Sequence, residues 1–285
     1  MTRTRVFAAL VMAPLVIVAI LFLPTAWLSP LATIVLLTGL WEWLKLAGVD
    51  DSLSRTILLL LNLLLMVLMV WASRTSAGFS PVLFQIATLI GIGWWLLAAV
   101  WLRFFNFASG HQPWARAIKL IAGTLAVIPA WCALCLLHSN NFAPGNAGVK
   151  SHLWLLIALM VVWAADSGAY FAGRHFGKHR LSPRISPNKT VEGAIGGVLA
   201  GTAIALALYA LGGGPPWHWL ALAAVALITV VASIVGDLFE SLLKRHAGAK
   251  DSGALIPGHG GVLDRIDSVL IAVPVFLMSK ELFGL

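Results

Sequence analysis

Long apolar runs fill most of the chain, and polar residues gather in a few short stretches between them. A helix that crosses a membrane needs about 20 mostly apolar residues. Nine stretches meet that requirement: 6–24, 27–45, 56–73, 82–102, 118–137, 153–173, 193–212, 217–237 and 263–284. Turn formers punctuate them, among them Pro24, Pro81, Pro144 with Gly145, and the run from Gly212 to Pro216. Trp27, Trp71, Trp217 and Trp219 stand near the ends of runs, where an amphipathic ring favours the membrane interface. The pattern predicts an all-α, polytopic membrane protein with about nine transmembrane helices. The first five spans, in residues 1–150, carry little chemistry and read as a scaffold with room for lipid access. The polar clusters fall in 151–285, which reads as the catalytic region.

Composition agrees. Mean hydropathy is +0.93 and charged residues make up 11%, against about 25% in soluble domains. The net charge is +8. In a membrane protein this needs no nucleic acid, because Lys and Arg collect in cytoplasmic loops and attract anionic lipid. Nine spans put the termini on opposite sides. Sixteen of the 19 basic residues then share a side with the N-terminus, and only Arg74, Lys150 and Lys280 lie opposite. The positive-inside bias places the N-terminus and the loops 174–192 and 246–262 in the cytoplasm, and the C-terminus across the membrane. No Ala-x-Ala site follows the first apolar run, so that run is expected to stay as a span. Cys132 and Cys135 form a C-x-x-C inside an apolar run, which suits buried small side chains better than redox or metal chemistry.

One stretch breaks the apolar pattern strongly. Nine charged residues fall between Gly236 and Ser268. On a helix stepped at about 100° per residue, Asp237, Glu240, Ser241, Lys244 and Arg245 share one face, while Leu238, Phe239, Leu242 and Leu243 share the other. Counted from Trp219 to Arg245, this helix would be about 40 Å long, more than the roughly 30 Å hydrocarbon core. Its end must emerge, or line a wet cavity. Beyond it, Gly258-His259-Gly260-Gly261 reads as a turn where backbone approaches a ligand, or as a plain connection. Asp264 and Asp267 follow at i and i+3 on one face of the last span.

Earlier polar residues add to this. Asp166 lies within the sixth run and reads as functional or as a carboxylate satisfied by Ser167. Ser186-Pro-Asn-Lys189-Thr-Val-Glu192 follows a basic loop, and Lys189, Ser186 and Thr190 suit phosphate, though no Walker A pattern is present. Glu42, between two tryptophans, reads either as a partner for a basic group in the membrane or as an interfacial carboxylate near Lys45. Gly193, Gly197 and Gly201 mark a close helix contact, within one chain or across a dimer. Carboxylates beside basic residues suit Mg²⁺ with phosphate, since Mg²⁺ takes one or two carboxylates plus substrate oxygens and Lys and Arg neutralise the remaining charge. The polar clusters alone allow a nucleotidyl or phosphoryl transferase acting on a lipid. A transporter is the rival class, though no internal repeat is found and the clusters gather at one face.

The run Ser241-Leu-Leu-Lys244-Arg245, then Lys250-Asp251-Ser-Gly253, Ile256-Pro-Gly258-His259-Gly260-Gly261 and Asp264-Arg265-Ile-Asp267, resembles the signature of the phosphatidate cytidylyltransferases (CDP-diacylglycerol synthases). Asp166-Ser-Gly-Ala-Tyr170 and Ser186-Pro-Asn-Lys189-Thr190 resemble that family's other polar motifs. The resemblance implies a bacterial inner-membrane enzyme that joins CTP to phosphatidic acid, giving CDP-diacylglycerol and pyrophosphate. It implies Mg²⁺ on Asp237 and Asp264, a second ion such as K⁺ nearby, and a homodimer. The expected catalytic set is Asp237, Asp264, Lys244, Arg245, Lys189 and Asp267. Ser241, Lys250, His259, Gly260, Gly261, Arg265, Asp166 and Ser186 are the expected substrate contacts.

Overall fold

The computed structural model describes residues 2–76, 78–110, 112–139, 150–255 and 260–285, with side chains from residue 12 onward. Among the described residues there are ten α-helices: α1 (Thr2–Phe22), α2 (Thr25–Leu46), α3 (Ser52–Ala72), α4 (Val82–Trp101), α5 (Pro113–His138), α6 (Ser151–Phe176), α7 (Val191–Leu211), α8 (Trp219–His246), α9 (Leu263–Ile266) and α10 (Val269–Leu282). Among the described residues, seven of them, α2 to α8, are long and apolar enough to cross a membrane. Two small antiparallel hairpins join helices, β1 (Arg74–Thr75) with β2 (Gly78–Phe79), and β3 (Arg180–Ser182) with β4 (Ser186–Thr190). The second hairpin is the basic loop that follows the sixth run. Glu192 closes its base, accepting from the Lys178 and His179 N–H groups at 3.0 and 3.2 Å.

Helix limits differ from the apolar runs for physical reasons. Asp51 caps α3 through its carboxylate, accepting from Ser54 N at 2.8 Å, so the helix begins before the apolar run does. The α6 helix runs on through polar residues to Phe176. The expected ninth span, 263–284, is not one helix. It divides at Asp267–Ser268 into α9 and α10, and the 14 residues of α10 reach only about 21 Å.

Two kinds of contact hold the bundle. In the first, aromatic rings fill space. Phe239 of α8 meets Trp43 of α2 at 5.8 Å between centroids, and Trp94, Trp95 and Trp101 of α4 at 5.9, 5.8 and 5.3 Å. Trp43 also donates its indole N–H to Lys119 O of α5 at 2.9 Å. Such rings bury large areas in fixed geometry. In the second, backbones approach because side chains are missing. A Cβ on Gly193 or Gly197 of α7 would stand 2.9 Å from the Ala169 or Ala165 carbonyl oxygen of α6. Gly168 of α6 answers in kind, a Cβ there lying 2.7 Å from Gly196 O. The glycine ridge of α7 therefore packs on α6 of its own chain. This is the small-residue packing that substitutes for a hydrophobic driving force in lipid.

Candidate active site

Close packing of α6 on α7 has a direct consequence for the polar residues. It draws Asp166 of α6 towards Lys189, the penultimate residue of β4 just ahead of α7. With α8 alongside, these helices enclose a cavity of about 500 Å³ whose wall includes Asp166, Tyr170, Arg174, Lys189, Ser233 and Asp237. That volume suits a small-molecule ligand. Asp166 lies ten residues before the end of α6, about 15 Å along the helix axis. Lys189 Nζ forms an ion pair with Asp237 Oδ2. Three residues from separate elements, Asp166, Lys189 and Asp237, thus share one space.

Asp237 also belongs to an acidic cluster. Asp237, Glu240 and Asp267 each offer an oxygen, and these oxygens all lie within 4.8 Å of one another. A glycine makes the approach possible. Gly236 of α8 faces the α9–α10 junction, where a Cβ would stand 2.7 Å from Asp267 O and from Ile271 Cγ2. Glu240 is 1% exposed, and its Oε1 has no hydrogen-bond partner. An orphaned, buried carboxylate oxygen inside a ring of carboxylates is what a divalent cation would satisfy. Oxygen ligands about 2.1 Å from Mg²⁺ sit about 3 to 4 Å apart, so a small inward movement of these side chains would bring them onto one ion.

Lys244 links this ring to the following segment. Its Nζ meets Glu240 Oε2 at 2.5 Å and Asp264 Oδ1 at 2.7 Å. Asp264 Oδ2 accepts from Ser252 N at 3.1 Å and Gly261 N at 2.8 Å. Asp264 stands in α9, outside the long apolar helices. Burial works against its charge, but the Lys244 ammonium and the Gly261 N–H hold its carboxyl down at about 2. Gly260 supplies the turn before it with φ of +84°, a backbone region that favours glycine.

Of the residues expected from the sequence, Asp237 and Asp267 belong to the acidic ring, with Lys189 and Lys244 paired to its members. Asp166 lines the cavity. Asp264 borders the ring and reaches Glu240 through Lys244. Ser241 donates to Asp237 Oδ1 at 3.5 Å, the limit of a hydrogen bond. Arg245 donates Nε to Ile185 O at 3.2 Å and so ties the β3–β4 hairpin to α8. Ser186 begins β4 opposite Ser182. Lys250 and Arg265 are exposed, Gly260 and Gly261 form the turn, and His259 lies outside the described residues. Glu240 shared the polar face in the sequence but received no role there. Tyr170, Arg174 and Asn188 in the cavity wall, and Ser252, had none either. Glu42 meets neither alternative read for it. It reaches the far end of the chain, accepting from Ser252 Oγ at 3.0 Å and Leu263 N at 2.8 Å. Cys132 and Cys135 are both buried and unbridged.

The chain matches the profile of the Cytidylyltransferase family over residues 3–283. It is 39% identical over 278 residues to the phosphatidate cytidylyltransferase of Pseudomonas aeruginosa, spanning 97% of this chain and 96% of that protein. It is 35% identical over 292 residues to the phosphatidate cytidylyltransferase of Haemophilus influenzae, spanning 97% of each.

Proposed function

The chain belongs to the cytidylyltransferase family, and we infer that it carries out phosphatidate cytidylyltransferase chemistry: CTP and phosphatidate give CDP-diacylglycerol and pyrophosphate. The observation that carries this reading into the molecule is the convergence of Asp166, Lys189 and Asp237 on one cavity. A phosphatidate oxygen attacks the α-phosphorus of CTP. The new oxygen–phosphorus bond forms as the bond to the β-phosphate bridging oxygen breaks, and pyrophosphate leaves with that electron pair. A phosphomonoester has a second pKa near 6, so the nucleophile is largely anionic at neutral pH and needs no strong general base. Catalysis is then positioning and charge stabilisation.

Mg²⁺, when bound, neutralises phosphate oxygens and orients them for in-line displacement. By geometry Asp237, Glu240 and Asp267 would hold it; the family resemblance adds Asp264. Lys189 and Lys244, now paired with carboxylates, would turn to phosphate oxygens as these arrive. Arg174, near Tyr170 with Nη1 to OH at 3.1 Å, lies at the outer end of the cavity wall and is suited to phosphate there. We assign the N-terminus and the β3–β4 hairpin to the cytoplasmic side of a bacterial inner membrane, on the strength of the basic residues, with helices α1 to α5 as scaffold. A homodimer of the kind implied by resemblance would need a surface other than the α7 glycine ridge.

The test is a release assay on detergent-purified protein with Mg²⁺ and each of the four nucleoside triphosphates, with phosphatidate or diacylglycerol as acceptor. Pyrophosphate and CDP-diacylglycerol formed from CTP and phosphatidate alone are expected. Equal turnover with another nucleotide, or with diacylglycerol, would overturn the substrate assignment.

A further inference from the structure

Glu42 is the most buried carboxylate of the N-terminal helices, at 3% exposed. It stands near the end of α2, on a rigid neighbourhood. Trp43 beside it stacks on Phe239 and is bonded to Lys119 O. One turn earlier, Gly39 leaves room for α9, since a Cβ there would lie 2.5 Å from Ile266 Cδ1. A carboxylate in such a setting is expensive unless it has donors. Its donors come from Ser252, after α8, and from Leu263, the first residue of α9. Ser252 Oγ and Leu263 N both reach Oε2, at 3.0 and 2.8 Å. Gly253 and Gly261 press their backbones on the same carboxylate, and neither has space for a Cβ.

The contacts continue inward from there. Ser252 Oγ also lies 3.0 Å from Asp264 Oδ2 and 3.3 Å from Asp264 N. Asp264 Oδ1 holds Lys244, and Lys244 holds Glu240. One unbroken polar chain therefore runs Glu42–Ser252–Asp264–Lys244–Glu240, from the scaffold to the acidic ring. We propose that Glu42 is a positioning residue for cytidylyl transfer: its Oε2 holds Ser252 and Leu263 against α2 and thereby fixes Asp264 and Lys244 at the reacting phosphates. This rests on the transferase reading above. A misplacement of about 1 Å is enough to lower turnover about 100-fold. A clamp of this kind acts on kcat and on the order of one segment. A purely structural residue acts on folded yield.

The experiment compares wild-type protein with E42L, E42Q and E42D in detergent. It measures kcat and KM for CTP, thermal midpoint, and amide hydrogen exchange in peptides covering 250–265. Wild-type turnover is the control for the transferase reading, and its absence would sink that reading and not this one. With an active wild type, E42L should lower kcat about 30-fold or more, with KM for CTP changed less than about threefold. Exchange at the Gly261 and Leu263 amides should rise. E42Q keeps an acceptor oxygen for both donors and should retain at least about a third of kcat. E42D, one methylene short, should fall between the two. The double variant E42L/S252A should be no more than about twofold worse than E42L, because both act through one contact. If E42L does not fold, the order of E42Q above E42D decides the matter. A kcat for E42L within threefold of wild type, E42D equal to or better than E42Q, or unchanged exchange would each overturn the proposal.

Discussion

The two sides of α8 are built on opposite principles. One side carries Phe239 into the tryptophans of α2 and α4, where four rings surround it. The other side carries Asp237 towards α6 and α7, where closely packed glycines border a largely apolar cavity with Asp166, Lys189 and Asp237 in its wall. Bulk fixes the helix in place; absence of bulk leaves room for a ligand. Asp237 and Phe239 are two positions apart on α8, so a charged site is positioned by the packing directly behind it.

Each side can be broken separately. The largest expected effect is on the open side. D237N should reduce cytidylyl transfer about 100- to 1,000-fold while the thermal midpoint changes little. Near-normal turnover would remove Asp237 from the site. Chelation with EDTA should abolish turnover in the same way, and added Mg²⁺ should restore it. On the packed side, F239A should lower stability by about 3 kcal/mol, seen in detergent thermal unfolding. Its loss of activity should follow loss of folded protein. G236A sits where the two sides meet. Its Cβ would press on Asp267 O and Ile271, at a stability cost of about 1–3 kcal/mol. Displacing Asp267 from the acidic ring should also reduce turnover about tenfold per folded molecule. Normal specific activity would show that the ring tolerates the shift. The smallest effect belongs to C132A/C135A. Both side chains are buried and unbridged, so activity should stay within about twofold of wild type, and a larger loss would indicate thiol chemistry.

Much of the open side was legible in the sequence. Asp237, Lys244 and Ser241 fall on one helical face by spacing alone, and an apolar chain makes every intramembrane carboxylate conspicuous. Lys189 and Asp166 could be grouped with them because charge bias put them near one surface. The packed side was not legible. Thirteen tryptophans in the sequence do not say which of them surround Phe239. Glu240 lay on the correct face, but its burial and its orphaned oxygen depend on α9 and α10 folding over it. The break at Asp267–Ser268 was hidden by a composition that suits a continuous helix. Glu42 was hardest to read. Its partners lie 210 and 221 positions away in the chain, beyond any local periodicity, and its nearest charged neighbour, Lys45, suggested a local pairing instead.

That distance has a meaning in time. Synthesis proceeds at about 5–20 residues per second, so α2 is made about 10–40 s before Ser252 exists. Until then the carboxylate of Glu42 waits among apolar helices without its donors. An acidic side chain at a helix centre weakens insertion by up to about 3 kcal/mol, less near a helix end, and α2 is already the least apolar of the seven long helices. Ser252 and Leu263, translated late, supply the missing donors. A chain cut short before Ser252 would carry an unsatisfied acidic helix, a feature by which quality control could tell it from the finished protein.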